Sequence, residues 1–246
     1  MKKNTTSWKF IVCIFLGLFG MGSCADDSYL IDGGISNPYY DGTILEYLQS
    51  RPDYFKTLVD VIELAEMEDI FEKETITFFA PTDWSIKSSL NRLNYYWYNL
   101  LGGDSITDIR QINPEVWKEI LSLYIIKDKY LLRDIPQIDT TAMSAYPGQA
   151  YVSYNGRPMN IGVVYADANN VKYVGYRQLI YSYVYDFAVN DMTNAYVATS
   201  DLQPTNGAIH VIRFTNHAFG FNSLDFAVKA IASGILPLPL EELEEK

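Results

Sequence analysis

Near Ile138 the chain changes character, and that change narrows the folds open to it. Before it, apolar residues recur at helical spacing, interrupted by one strand-like run, Glu74–Ala80. After it come β-branched and aromatic runs at 150–154, 159–165, 171–174, 179–187, 195–198 and 208–214. Turn signals such as Asn155-Gly156, Asn169-Asn170 and Asn206-Gly207 separate them. Helices followed by strands, rather than strict alternation, predict an α+β domain. No fixed-period repeat is present, so one domain is expected, and a hydrophobic content of 48% is ample for its core.

The helical half is well punctuated. Residues 43–49 read as one helix. Pro52 opens a second, in which Phe55, Leu58, Val59, Ile62 and Ala65 share a buried face while Lys56, Asp60 and Glu63 face out. Pro81 ends the strand-like run, and Thr82 and Asp83 are placed to cap a helix over 84–93 by accepting its free N–H bonds. Asn113-Pro114 starts the next helix, with Val116, Trp117, Ile120, Leu121 and Tyr124 on one face. A last helix is predicted over 222–233, stopped by Gly234.

The N-terminal residues read as an address. Lys2, Lys3 and Lys9 precede an apolar run over 10–19 and a small-residue stretch over 20–23, the layout of a secretory signal. The apolar run is too short to span a bilayer, which takes about 20 residues. Met21-Gly22-Ser23-Cys24 resembles a bacterial lipobox, with Met21 where leucine is usual. The resemblance implies cleavage before Cys24 and acylation of its thiol. Several acyl chains would hold the protein firmly, since each buried methylene contributes about 0.8 kcal/mol. Asp26-Asp27 resembles the export signal by which Bacteroidota-type lipoproteins reach the outer face of the outer membrane. The expected division is a signal peptide over 1–23, a tether over 24–41, a folded domain over 42–236 and an acidic tail over 237–246.

Charge and cysteine usage exclude several function classes. Losing Lys2, Lys3 and Lys9 with the signal, and no acid, takes the net charge from -11 to -14. So acidic a domain is a poor nucleic-acid binder, because phosphate contacts need clustered Lys and Arg. Of the two cysteines, Cys13 leaves with the signal and Cys24 takes the lipid. No thiolate nucleophile, disulfide or cysteine-based metal site is therefore expected. Nucleophile-elbow, phosphate-loop and zinc-protease motifs are absent from the sequence, so no enzyme, no metal and no cofactor is expected.

Two segments carry a family likeness. The run Thr75-Ile76-Thr77-Phe78-Phe79-Ala80-Pro81-Thr82-Asp83-Trp84 and the run Thr205-Asn206-Gly207-Ala208-Ile209-His210-Val211-Ile212 resemble, in the right order, the two hallmarks of the fasciclin (FAS1) domain. The resemblance covers roughly residues 42–221 and implies a FAS1-like β-sandwich wrapped by helices, in a single domain. Its fold-making positions are Thr77, Ala80, Pro81, Thr82, Asp83, Asn206, Gly207 and His210. Two departures stand out. A Tyr-His pair tied to integrin binding in animal members corresponds here to Tyr124-Ile125, and Arg213 stands where the second hallmark is usually acidic.

The remaining candidates are aromatic and imidazole groups. His210 and His217 are the only histidines, and His210 reads as a buried, hydrogen-bonded member of the fold. The chain has 20 tyrosines, a side chain with an apolar ring and a polar tip suited to wet interfaces. Tyr95, Tyr96, Trp97 and Tyr98 read either as a contact patch for a glycan or protein, or as an aromatic lid over the core. Tyr181, Tyr183 and Tyr185 alternate on one strand and are expected to face the core. Together these readings predict a non-catalytic, lipid-anchored surface module for binding or adhesion, an accessory lipoprotein of an outer-membrane SusC/SusD-like nutrient uptake complex. The alternative is a surface glycan-binding protein using the Tyr95–Tyr98 run.

Overall fold

The computed structural model describes residues 37–238. Cys24, most of the tether and most of the acidic tail lie outside the described residues. Three helices come first: α1 (Ile44–Gln49), α2 (Pro52–Leu64) and α3 (Glu68–Lys73). Strand β1 (Ile76–Ala80) leads into α4 (Asp83–Asn94), which continues as a π-helical turn over Tyr95–Leu100. Then follow α5 (Pro114–Leu121), β2 (Ile125–Lys127), β3 (Gln149–Val152), β4 (Pro158–Tyr165), β5 (Arg177–Asp186), β6 (Asp191–Leu202), β7 (Gly207–Ile212) and α6 (Ser223–Ala232).

Seven strands form one sheet in the order β2-β1-β7-β6-β5-β4-β3. Its two edges meet: Ile126 of β2 bridges Ser153, just after β3, and the Tyr154 N–H donates to the Ile125 carbonyl at 2.9 Å. The sandwich expected from the sequence is thus a single sheet curled until it nearly closes. Helices α1, α2, α4 and α5 pack on one another through α2, and α6 packs on α4.

The two sequence hallmarks are neighbours in space. β1 pairs parallel with β7 in the register Ile76↔Gly207 through Ala80↔Val211, and every residue of β1 is buried. A strand covered on both faces needs an apolar run rather than alternation, as 76–80 supplies. Gly207 is required by close approach, because a Cβ there would collide with the Ile76 carbonyl oxygen. Asn206 fastens the same corner. Its Oδ1 accepts from the Ile44 N–H at 2.8 Å, and its Nδ2 donates to the carbonyls of Phe71 at 2.9 Å and Glu74 at 3.1 Å. One side chain thus ties the start of α1 and the end of α3 to the sheet. Buried Thr77 does the same on the other side, donating to the Asp128 carbonyl and accepting from the Tyr130 N–H, both at 2.8 Å.

Several local expectations are corrected. Thr82 occupies the N-cap of α4, but its hydroxyl makes no capping bond and its Oγ1 is buried without a partner. Asp83, already inside the helix, turns to α2 and accepts from the N–H groups of Thr57 and Leu58, both at 3.0 Å. It therefore joins two helices instead of capping one, and burial raises its pKa despite those bonds. The run 171–174 is not a strand, because Asn169, Asn170 and Tyr173 adopt the left-handed region, which ends any extended run. α3 and β2 were not anticipated. The end of the expected tether joins the fold, with Tyr39 bridging Gln203 and the Gln203 N–H donating to the Pro38 carbonyl at 2.7 Å. Elsewhere the caps agree with the sequence: Asn113 accepts from Glu115, Asn222 from Leu224, and Gly234 follows α6 at φ 85.

The Asn206 corner predicts a specific sensitivity. Asn206→Ala leaves one N–H and two carbonyls without their partner, so urea denaturation should show a loss of about 2–4 kcal/mol. Asn206→Asp keeps the acceptor for Ile44 but places a charge against two carbonyls, and should fare no better.

Candidate binding surfaces

The aromatic run does not act as a unit. It continues α4 as a π-helical turn, marked by the Leu101 N–H donating to the Tyr96 carbonyl five residues back at 3.1 Å. Within it, Tyr96 and Trp97 are half-buried and packed against the core, while Tyr95 and Tyr98 are 51% and 56% exposed. Gly103 lies against the Trp97 indole so closely that a Cβ there would strike the ring. Leu100 and Leu101 add two more exposed apolar side chains. Both readings of the run are therefore partly realised, with the central pair lying over the core and the outer pair facing solvent.

The tyrosines of β5 grade from core to surface. Tyr181 is buried, stacks on Phe79 with ring centroids 4.0 Å apart, and donates its hydroxyl to the Leu123 carbonyl. Tyr183 is half-buried under the Arg157 guanidinium, 3.9 Å from the ring centroid. Tyr185 is exposed, which corrects its expected place in the core. Its pairing with β6 is interrupted by an irregularity between Val184 and Asp186 and resumes at Asp186↔Asp191, so Tyr185 sits at a break in the register.

Both histidines are structural. His210 is fully buried, its Nδ1 accepting from the Asp201 N–H at 3.2 Å and its Nε2 donating to the Tyr130 carbonyl at 3.0 Å. Burial lowers its pKa. His217 Nε2 lies 3.0 Å from the Tyr124 hydroxyl, which accepts from the Gly220 N–H at 2.8 Å and so donates to the imidazole. Burial pushes the His217 pKa down to about 3 and the Tyr124 pKa upward. A neutral imidazole against a phenol that keeps its proton offers no base to solvent. Among the described residues, no cluster of three or more His, Cys, Asp or Glu could hold a metal, and no helix is long and apolar enough to cross a membrane.

Sequence reasoning missed a second exposed aromatic group. Tyr54, Trp84 and Phe214 are each more than half exposed, and the Trp84 and Phe214 rings meet edge to face at 6.4 Å. They come from α2, α4 and the segment just after β7, so nothing local in the sequence brings them together.

The Fasciclin domain description matches residues 53–214, about two-thirds of the sequence. The chain belongs to the fasciclin family. Fasciclin domains are generally adhesion or binding modules without enzymatic activity. The pairing of β1 with β7 puts the family's two hallmark segments side by side. Among solved structures, the chain is similar to a FAS1 domain pair from the insect cell adhesion molecule Fasciclin I, with 18% identity, a TM-score of 0.44 and 70% of this chain covered. It spans 49% of that chain, about half its length. No curated protein sequence matches it.

The split aromatic run predicts divergent variants of this fasciclin domain. Trp97→Ala should lower stability by about 2–4 kcal/mol, whereas Tyr95→Ala and Tyr98→Ala should each change it by no more than about 0.5 kcal/mol in chemical denaturation. The buried imidazoles predict acid sensitivity. An unfolded His217 binds its proton near pH 6.5, but the folded one binds it only near pH 3. Its contribution is therefore complete above pH 6.5 and lost as pH falls toward 3, by about 1.4 kcal/mol per pH unit. Depressed in the same direction, His210 adds to the slope. His217→Gln should flatten the dependence between pH 6.5 and 5, whatever it costs at pH 7.

Proposed function

We propose that this fasciclin domain is a non-catalytic binding module held at the outer membrane surface by a lipid on Cys24, where it serves as an accessory lipoprotein of an outer-membrane SusC/SusD-like uptake complex. The observation that carries the reading is the apolar face of the π-helical turn. Tyr95, Tyr98, Leu100 and Leu101 are each more than half exposed on a turn that Tyr96 and Trp97 fix to the core. A contiguous exposed apolar patch marks an interaction site more often than an accident of the surface. Its mixture of rings and branched aliphatic chains suits a protein partner, since leucines offer no flat face to a sugar. The signal-like segment, Cys24 and the acidic pair after it support the address.

A second reading, glycan capture by the module itself, draws support from the exposed rings of Tyr54, Trp84 and Phe214 rather than from the π-helical turn.

Two measurements test the first reading. Expressed as the full chain in a Gram-negative host, the protein should fractionate with outer membranes, and Cys24→Ser should move it to the soluble fraction. From detergent extracts it should co-purify with a large outer-membrane protein, and the exposed-face pair Tyr98→Ser with Leu101→Ser should reduce that recovery by about tenfold at unchanged thermal midpoint. Co-purification untouched by the pair would remove the turn as the contact face.

A further inference from the structure

A cleft of about 400 Å³ lies between the N-terminal end of α2 and the outer face of the β6–β7 pair. That volume is in the range of small-ligand sites. The rings of Tyr54 and Phe214 line it, as do the guanidinium-bearing Arg51 and Arg213, and no Asp or Glu does. In a chain of net charge -11 a lining with two cations and no acid is a local reversal of sign. Among the described residues, no carboxylate lies within ion-pair distance of either arginine. Arg213 instead lies over the Tyr196 ring, 5.2 Å from its centroid. Thr82 also lines the cleft, its Oγ1 without a partner because α4 makes no use of it as a cap. Trp84 extends the aromatic surface through its contact with Phe214.

We infer that this cleft binds an acidic oligosaccharide, with the exposed rings of Tyr54 and Phe214 as platforms for sugar faces and Arg51 and Arg213 pairing with its carboxylate or sulfate groups. Guanidinium forks match planar oxyanions and have no other anion here to satisfy. Exposed rings supply the flat apolar surface that a pyranose presents its C–H groups to. An acidic peptide fits less well. β6 and β7 are interior strands of the sheet, so the cleft floor offers no free edge to which an extended chain could add by backbone hydrogen bonds. The inference rests on the binding-module reading and deepens it, but the two use different surfaces and fail separately.

The test is calorimetric titration of the purified full chain with four probes: a galacturonate hexamer, a heparin-derived hexasaccharide, maltohexaose and a glutamate hexamer. One or both anionic sugars should bind about tenfold or more tighter than maltohexaose and the glutamate peptide, the two anionic arms separating carboxylate from sulfate. Phe214→Ala, and separately Arg51→Gln with Arg213→Gln, should each weaken that binding by about tenfold. These side chains are exposed, and the thermal midpoint verifies that each variant is folded. Tyr98→Ser with Leu101→Ser should leave sugar binding intact, which separates this site from the protein-contact face. Equal binding of the glutamate peptide, binding of maltohexaose at the same strength, no binding of either acidic sugar, or binding unaltered in both cleft variants would overturn the assignment.

Discussion

The parallel pairing of β1 with β7 is the constraint on which the rest of the molecule depends. It joins segments about 130 residues apart, so the ordering entropy of everything between them has to be offset by contacts made at or near that seam. The chemistry of the seam fits the task. Gly207 allows the backbones to approach, Asn206 links α1 and the end of α3 to the sheet, and Thr77 holds the loop after β2. Tyr181 extends the network outward by stacking on Phe79 and reaching the Leu123 carbonyl. The hallmark residues are thus a set of mutually dependent contacts, and each one's role is visible only with its partner present.

Most of the architecture was legible in the sequence because its signals are local. Prolines and capping asparagines mark helix starts, Gly234 a helix end, and the β-branched runs mark most strands. What escaped has physical reasons. β2 has three residues and α3 six, too few to establish a period. At 171–174 the β-branched composition was outweighed by left-handed residues just before and within the run. Asp83 looked like a cap because its local context is that of a cap, whereas its actual partners lie about 25 residues earlier in α2. Composition likewise cannot say which of four consecutive aromatics faces the core, since a π-helical turn changes the spacing that assigns faces. The cleft was illegible for a plainer reason, as its rings and cations come from the α1–α2 junction, α2 and the segment just after β7 and meet only in the folded chain.

The two proposed surfaces differ in chemistry. The π-helical turn presents exposed apolar side chains, while the α2–β7 cleft combines rings with guanidinium groups in an otherwise acidic protein. Neither uses the histidines, whose burial keeps them neutral and commits them to the fold. The Tyr124–His217 contact sits on the inner side of the segment that leads from β7 to α6, so it helps set where Phe219 and Phe221 pack.

The near-closure of the sheet has a further consequence wherever copies of the chain are crowded together. An open sheet ends in two rows of unpaired N–H and C=O groups, which another chain's strand can join. Here β2 bonds to Ser153 and Tyr154, just after β3, so the two edges are joined at that point. That joint leaves fewer free backbone groups for another chain's strand to pair with.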